Sequence, residues 1–151
     1  MRQGIELLFY GYRDFTSEPD AMLARHGFGR AHHRVIYFVG RHPGMNVTNL
    51  LGILRITKQS LSRVLSQLLH QGFVRQTPGR PDRRQRLLEL TEKGVELERK
   101  LSENQRRRVA HAYRDAGPEA VEGFRKVMLG IIGDEADRER FRRDRPPGDG
   151  V

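Results

Sequence analysis

The sequence predicts a mainly α-helical fold with one small β-element of two or three strands. Two observations lead there. Apolar residues recur at helical spacing through most of the chain, interrupted by Gly and Pro. Near residues 73–90 the period changes once, to alternation around a Pro/Gly loop. A length of 151 residues suits one domain spanning 1–151.

The elements follow in order. Residues 4–15 carry Ile5, Leu8, Phe9, Tyr12 and Phe15 as a single helical stripe. Thr16-Ser17-Glu18-Pro19-Asp20 is expected to break it and open a short second helix, since Pro suits a first helical turn. Gly27 and Gly29 punctuate again. Residues 30–42 form a denser helix, with Val35, Ile36, Phe38 and Val39 apolar, ended by Pro43-Gly44. Residues 46–54 form a short helix capped near Asn46 or Thr48, with Leu50, Leu51 and Leu54 apolar. Residues 55–57 are a tight turn, and Thr57 is a good N-cap for the next helix. There Leu61, Val64, Leu65, Leu68 and Leu69 face one way, while Lys58, Gln59, Ser62, Arg63, Ser66 and Gln67 face the other. Gly72 sits where a helix ends in the left-handed conformation.

Phe73 to Gln76 reads as a strand, 77–83 as a loop and 84–90 as a second strand, which makes a hairpin. Thr91 caps a long polar helix running to about Ala116. Gly117-Pro118 interrupts, and a last helix carries Val121, Phe124, Val127, Met128, Ile131 and Ile132. Beyond Gly133 the chain is charge-dense, and 145–151 is read as a disordered tail.

Composition narrows the function. Lys plus Arg total 28 against 19 acids, a formal net charge of +9, which favours a polyanionic partner. There is no cysteine, so disulfides, thiolate metal sites and thiol chemistry are excluded. Glu6 and Asp14 interrupt the first apolar stretch, and the longest apolar run is Val35 to Val39, far short of the roughly 20 residues a bilayer span needs. The reading is a soluble cytoplasmic protein with no membrane partner.

Helix, tight turn, polar-faced helix and two-stranded hairpin is the order of a winged helix-turn-helix. Its second helix must pack one leucine face on the domain and offer short polar and cationic side chains to base edges and phosphates in the major groove. Residues 57–70 meet both demands. The hairpin loop must be basic to reach the flanking backbone or minor groove, and Arg80, Arg83, Arg84 and Arg86 supply that charge. Residues 55–90 hold eight cations against two acids, a net +6 that is most of the chain's +9. The expected partner is therefore double-stranded DNA.

The run Thr57-Lys58-Gln59-Ser60-Leu61-Ser62-Arg63-Val64-Leu65, then Gly72-Phe73-Val74-Arg75, Asp82-Arg83-Arg84 and Leu88-Glu89-Leu90-Thr91-Glu92-Lys93-Gly94 resembles the MarR family of bacterial transcription regulators. Asp-x-Arg in the wing followed by Leu-x-Leu-Thr-x-x-Gly is the most recognisable stretch. Gly27-Phe28-Gly29-Arg30-Ala31-His32-His33-Arg34-Val35 further resembles the PetP-like branch of that family. The resemblance covers residues 4–133. It implies a homodimer, with about 4–25 and 92–133 as dimerisation helices around a winged helix-turn-helix at about 30–91. Two such domains would read a pseudo-palindromic operator, with half-sites about one DNA turn apart.

Position on the helix assigns the roles of residues 58–63, and the resemblance implies those of Arg84 and Asp82. Gln59, Ser62 and Arg63 would face the major groove, and Lys58 would meet phosphate. Arg84 would enter the minor groove, with Asp82 aiming its guanidinium, flanked by Arg80, Arg83 and Arg86. A small aromatic or anionic effector would release the repressor, from a pocket for which Tyr12, Phe15, His33, Arg34 and Tyr37 are the candidate lining. No enzyme motif is present: no His-Glu-x-x-His, phosphate loop or Gly-x-Ser-x-Gly occurs. No metal site and no cofactor are expected, because the six histidines form no His-x-x-x-His pair. Two alternatives stand beside the regulator: an architectural or constitutive DNA-binding protein without an effector, and a winged-helix protein-interaction module.

Overall fold

The computed structural model describes residues 1–143, so the tail assigned to 145–151 lies outside the described residues. The chain divides into two units, Met1–Arg106 and Arg107–Val151. In order come α1 (Arg2–Ala24), α2 (Arg30–Arg41), β1 (Met45–Asn46), α3 (Val47–Leu54), α4 (Lys58–His70), β2 (Val74–Pro78), β3 (Arg86–Leu90), α5 (Glu92–Ala116), α6 (Pro118–Ile131) and α7 (Glu135–Arg143).

The expected break at Thr16–Asp20 does not occur: α1 runs through it with Pro19 inside. The hydroxyls that would favour a turn bond back onto their own helix. Thr16 Oγ1 donates to the Tyr12 and Arg13 carbonyls at 3.0 and 3.2 Å, and Ser17 Oγ donates to the Asp14 carbonyl at 3.0 Å. Pro19 has no N–H for the Phe15 carbonyl, and Gln105 Nε2 of α5 donates to that oxygen instead, at 3.4 Å. Burial of Thr16, Pro19 and Leu23 adds the tertiary packing that overrides the local signal.

α2 and α4 pack together over a core that includes Val35, Ile36, Leu50, Leu61, Leu68 and Phe73, each at most 1 % exposed. Each such side chain contributes about 1.5–3 kcal/mol of burial. α2 begins at Gly29, whose N–H is accepted by His32 Nδ1 at 3.1 Å, and α3 begins at Asn46, whose side chain accepts the Asn49 N–H at 2.8 Å. α4 closes as expected: Gly72 has φ +77°, and the Phe73 N–H bonds to the Leu68 carbonyl at 2.9 Å.

The sheet has three antiparallel strands in the order β1-β3-β2. β1 is too short to announce itself in a periodicity. It exists because Met45 pairs with Leu88 and Asn46 with Leu87. β3 begins at Arg86, so Arg84 belongs to the loop rather than to the strand. Thr91 joins the sheet to α5, accepting the Gly94 N–H at 3.1 Å and donating to the Gly72 carbonyl at 2.6 Å.

In the second unit α6 begins at Pro118 after Gly117 and buries none of its residues, leaving Phe124, Val127 and Ile131 exposed. α7 has no apolar stripe. It is held instead by a cap and by charge pairs: Asp134 Oδ1 accepts the Ala136 N–H at 2.8 Å, and Glu135 pairs with Arg138 and Arg142 at 3.1 and 3.0 Å.

Candidate nucleic-acid interface

α3 ends on Arg55, the one positive-φ non-glycine among the described residues, with φ 51°. That left-handed residue turns the chain so that Thr57 can cap α4: its Oγ1 accepts the Ser60 N–H at 3.1 Å. The cap and the buried face of Leu61, Val64, Leu65 and Leu68 set which side of α4 meets solvent. Lys58, Gln59, Ser62 and Arg63 all lie on that exposed side. Gln67 shares it but is already engaged, its Oε1 lying 2.5 Å from His32 Nε2.

The wing loop spans residues 79–85 and is tightly closed. Gly79 N–H bonds to the Gln85 carbonyl at 2.9 Å, and Gln85 N–H to the Asp82 carbonyl at 3.2 Å. A Cβ on Gly79 would lie 2.7 Å from the Asp82 carbonyl oxygen, so the turn needs glycine there. Asp82 does not aim the Arg84 guanidinium, the role the resemblance implies. Its Oδ1 accepts the Arg84 backbone N–H at 2.9 Å, fixing the loop rather than the side-chain tip. The reason is reach, since an Asp side chain meets a backbone amide two residues on more readily than a guanidinium at the end of a long, free chain.

At the base of the wing Arg75 and Glu89 are register partners and ion-paired, with Nε and Nη2 at 2.9 and 2.6 Å from one carboxylate oxygen. That pair removes Arg75 from the basic set. Lys58, Arg63, Arg80, Arg83, Arg84 and Arg86 are exposed and make no ion pair among the described residues. Such unneutralised cations carry phosphate affinity and its salt dependence.

Of the five pocket candidates, Tyr12 and Arg34 are in direct contact. Tyr12 Oη accepts from Arg34 Nη2 at 3.3 Å, and the Arg30 guanidinium lies 5.2 Å from the Tyr12 ring centroid. Tyr37 packs edge-on against Phe38, with Arg41 over its ring at 5.0 Å. Phe15 is half-buried. Burial lowers the His33 pKa from its ordinary value, opposed by the charges of Asp20 and Glu98 and assisted by Arg34. A cleft of about 320 Å³ lies elsewhere, lined by Val39, Gly40, Leu90, Val95 and Glu98 with the Arg75–Glu89 pair.

Sequence reasoning missed Gly79 and Gln67. The first was legible as Pro78-Gly79 turn punctuation; the second had no signal, because its partner is 35 residues away. Among the described residues no group of three or more His, Asp or Glu could hold a metal ion. No described helix is long and apolar enough to cross a membrane.

Comparison with known proteins agrees with this geometry. The MarR family model matches residues 26–85. The chain is 52 % identical over 142 residues to the HTH-type transcriptional regulator PetP of Rhodobacter capsulatus, covering 94 % of this chain and 85 % of that one. Among solved structures, Streptococcus pneumoniae FabT in complex with DNA aligns with TM-score 0.76 at 18 % identity, covering 90 % of this chain and 97 % of FabT. NadR in complex with 4-hydroxyphenylacetate aligns with TM-score 0.69 at 18 % identity, covering 83 % and 89 %. At those identities the structural likeness speaks to the fold alone.

Proposed function

Because the chain belongs to the MarR family of transcription regulators, we propose that it acts as a homodimeric repressor that reads a pseudo-palindromic DNA operator and is released by a small aromatic or anionic effector. The observation that carries the DNA reading is the conjunction of a capped α4, its Gln59, Ser62 and Arg63 exposed, with a wing whose four arginines, three in the loop and Arg86 at the start of β3, have no acid partner among the described residues.

In this reading Gln59, Ser62 and Arg63 contact base edges, Lys58 contacts phosphate, and Arg80, Arg83, Arg84 and Arg86 follow the flanking backbone and minor groove. Asp82 serves the interface indirectly, by holding the Arg84 backbone. Residues 30–91 are the reading module, and 4–25 with 92–133 are the dimerisation helices. Exposed apolar side chains support the dimer: Ile5, Phe9 and Val127 are 71, 63 and 62 % exposed. In each unit by itself a single chain leaves such side chains in water, and a second copy would bury them.

The effector is supported by the family and by the 4-hydroxyphenylacetate bound to NadR; Tyr12, Phe15, His33, Arg34 and Tyr37 remain its proposed lining. The test is analytical ultracentrifugation combined with anisotropy titration of duplex DNA. Twice the chain mass, with operator affinity lost in an Ile5→Glu/Phe9→Glu variant that sediments as a monomer, is the expected result. A wild-type monomer that binds duplex unchanged would overturn the dimeric reading.

A further inference from the structure

His32 is only 9 % exposed, and nothing in the interface described above uses it. Both of its ring nitrogens are engaged. Nδ1 accepts the Gly29 N–H at 3.1 Å, at the start of α2, and Nε2 lies 2.5 Å from Gln67 Oε1 on α4. A nitrogen that accepts from an amide carries no proton, so the ring proton sits on Nε2 and Gln67 receives it. The ring is also stacked on Phe28, with centroids 4.6 Å apart and planes 12° apart, and Phe28 meets Phe73 edge-on at 5.4 Å. The imidazole therefore cannot turn without losing two hydrogen bonds and a stack. Gln67 follows Arg63 by one helical turn, on the exposed side of α4 that also carries Ser62 and Arg63.

We propose that His32 is a positioning residue for base reading, fixing the roll of α4 about its own axis through Gln67. The proposal rests on the DNA-reading function above. The leucine face of α4 alone sets that roll loosely, because apolar contacts are non-directional. A hydrogen bond from a ring locked at three points is directional and tolerates little rotation. At the outer radius of a helix, about 5–6 Å, a 10° roll moves a side chain by about 1 Å. That displacement is enough to take a bidentate base contact out of hydrogen-bond range. Contacts to phosphate made by long, mobile arginines would absorb it.

The experiment compares affinity for the selected operator with affinity for random duplex, at one fixed salt concentration, in the full-length protein. His32→Phe keeps a flat ring that can stack on Phe28, though a larger one, and removes both bonds. Gln67→Met keeps the length and removes the acceptor. His32→Gln offers an acceptor and a donor on one planar group and can serve both partners. Each of the first two variants is expected to lower the operator-to-random ratio about 5–10-fold, with random-duplex affinity unchanged, as phosphate contacts dictate. The double variant is expected to be no worse than either single one, because the pair acts as a unit. His32→Gln is expected to keep the wild-type ratio.

An unchanged ratio in folded Gln67→Met overturns the proposal, and that surface variant decides the matter even if His32→Phe does not fold. An equal fall in operator and random affinity also overturns it, since that marks a purely structural role. No preference for any duplex in the wild-type protein would overturn the DNA-reading function itself, a distinct outcome.

Discussion

Asp82 is an acid among arginines at the proposed DNA surface, and replacing it separates two roles with opposite consequences. In the structure its Oδ1 holds the Arg84 N–H at 2.9 Å. Asp82→Ala removes that bond, worth about 1 kcal/mol net, and loosens the loop that presents Arg83 and Arg84. It also removes a negative charge facing phosphate. At about 8 Å in water that repulsion is about 0.5 kcal/mol, and screening at physiological salt cuts it to about 0.2 kcal/mol. The lost bond outweighs the relieved repulsion, so Asp82→Ala should weaken operator binding by about three- to fivefold. Asp82→Asn keeps an acceptor oxygen at the same place and removes the charge. Its affinity should equal the wild type's or exceed it by up to about twofold. Fluorescence anisotropy with an operator duplex at 0.15 M salt reads both variants. If Asn weakens binding as much as Ala, the carboxylate charge itself is required, and the backbone-holding role is refuted.

Further outcomes are expected at other positions. Arg63→Ala should cost about 1–3 kcal/mol of operator affinity if the side chain reads a base, whereas Arg84→Ala should relax the preference for A·T flanks and lower the salt slope by about one. Gly94→Ala would place a Cβ 2.0 Å from the Phe73 carbonyl oxygen, backbone against backbone; a loss of at least about 3 kcal/mol, read as a melting temperature lower by about 6–12 °C in calorimetry, is expected. Hydrogen bonds from Arg99 and Lys100 hold exposed Glu96 at about 2, so its NMR titration should centre there and move up toward 4.5 in Arg99→Ala. Because its folded value lies below the ordinary one, whatever it adds to stability is present above the ordinary carboxylate range and is lost as pH falls toward 2. His33 should titrate below 6.5, and its neutral form favours the fold, so acidification through that range should erode stability.

Elements with a strong local cause were legible in the sequence. α4 has a Thr57 cap, an uninterrupted leucine face and Gly72 at its end, and each appears in the structure where the sequence places it. The start of α6 at Pro118 was equally plain. What escaped depends on partners distant in the chain. α1 continues through Pro19 because Gln105, 90 residues from Phe15, supplies the donor that a proline helix lacks. β1 is two residues of pairing with Leu88 and Leu87 and has no period of its own. α7 is held by Asp134 and by glutamate–arginine pairs, and a search for apolar stripes passes over it. At the interface, residue types and spacing gave the basic wing, but hydrogen-bond geometry was needed to place Asp82 on a backbone amide and Gln67 on His32.

The central claim is that this chain reads a specific duplex sequence as a dimer. Selection of bound duplexes from a random library, with purified protein at near-physiological salt, tests it most directly. The expected result is a pseudo-palindrome with half-site centres about 10 bp apart, bound at least about 10³-fold more tightly than random duplex. Recovery without sequence preference, or no recovery even at low salt, would contradict the claim: the first result would mark an architectural binder, the second a protein-interaction module.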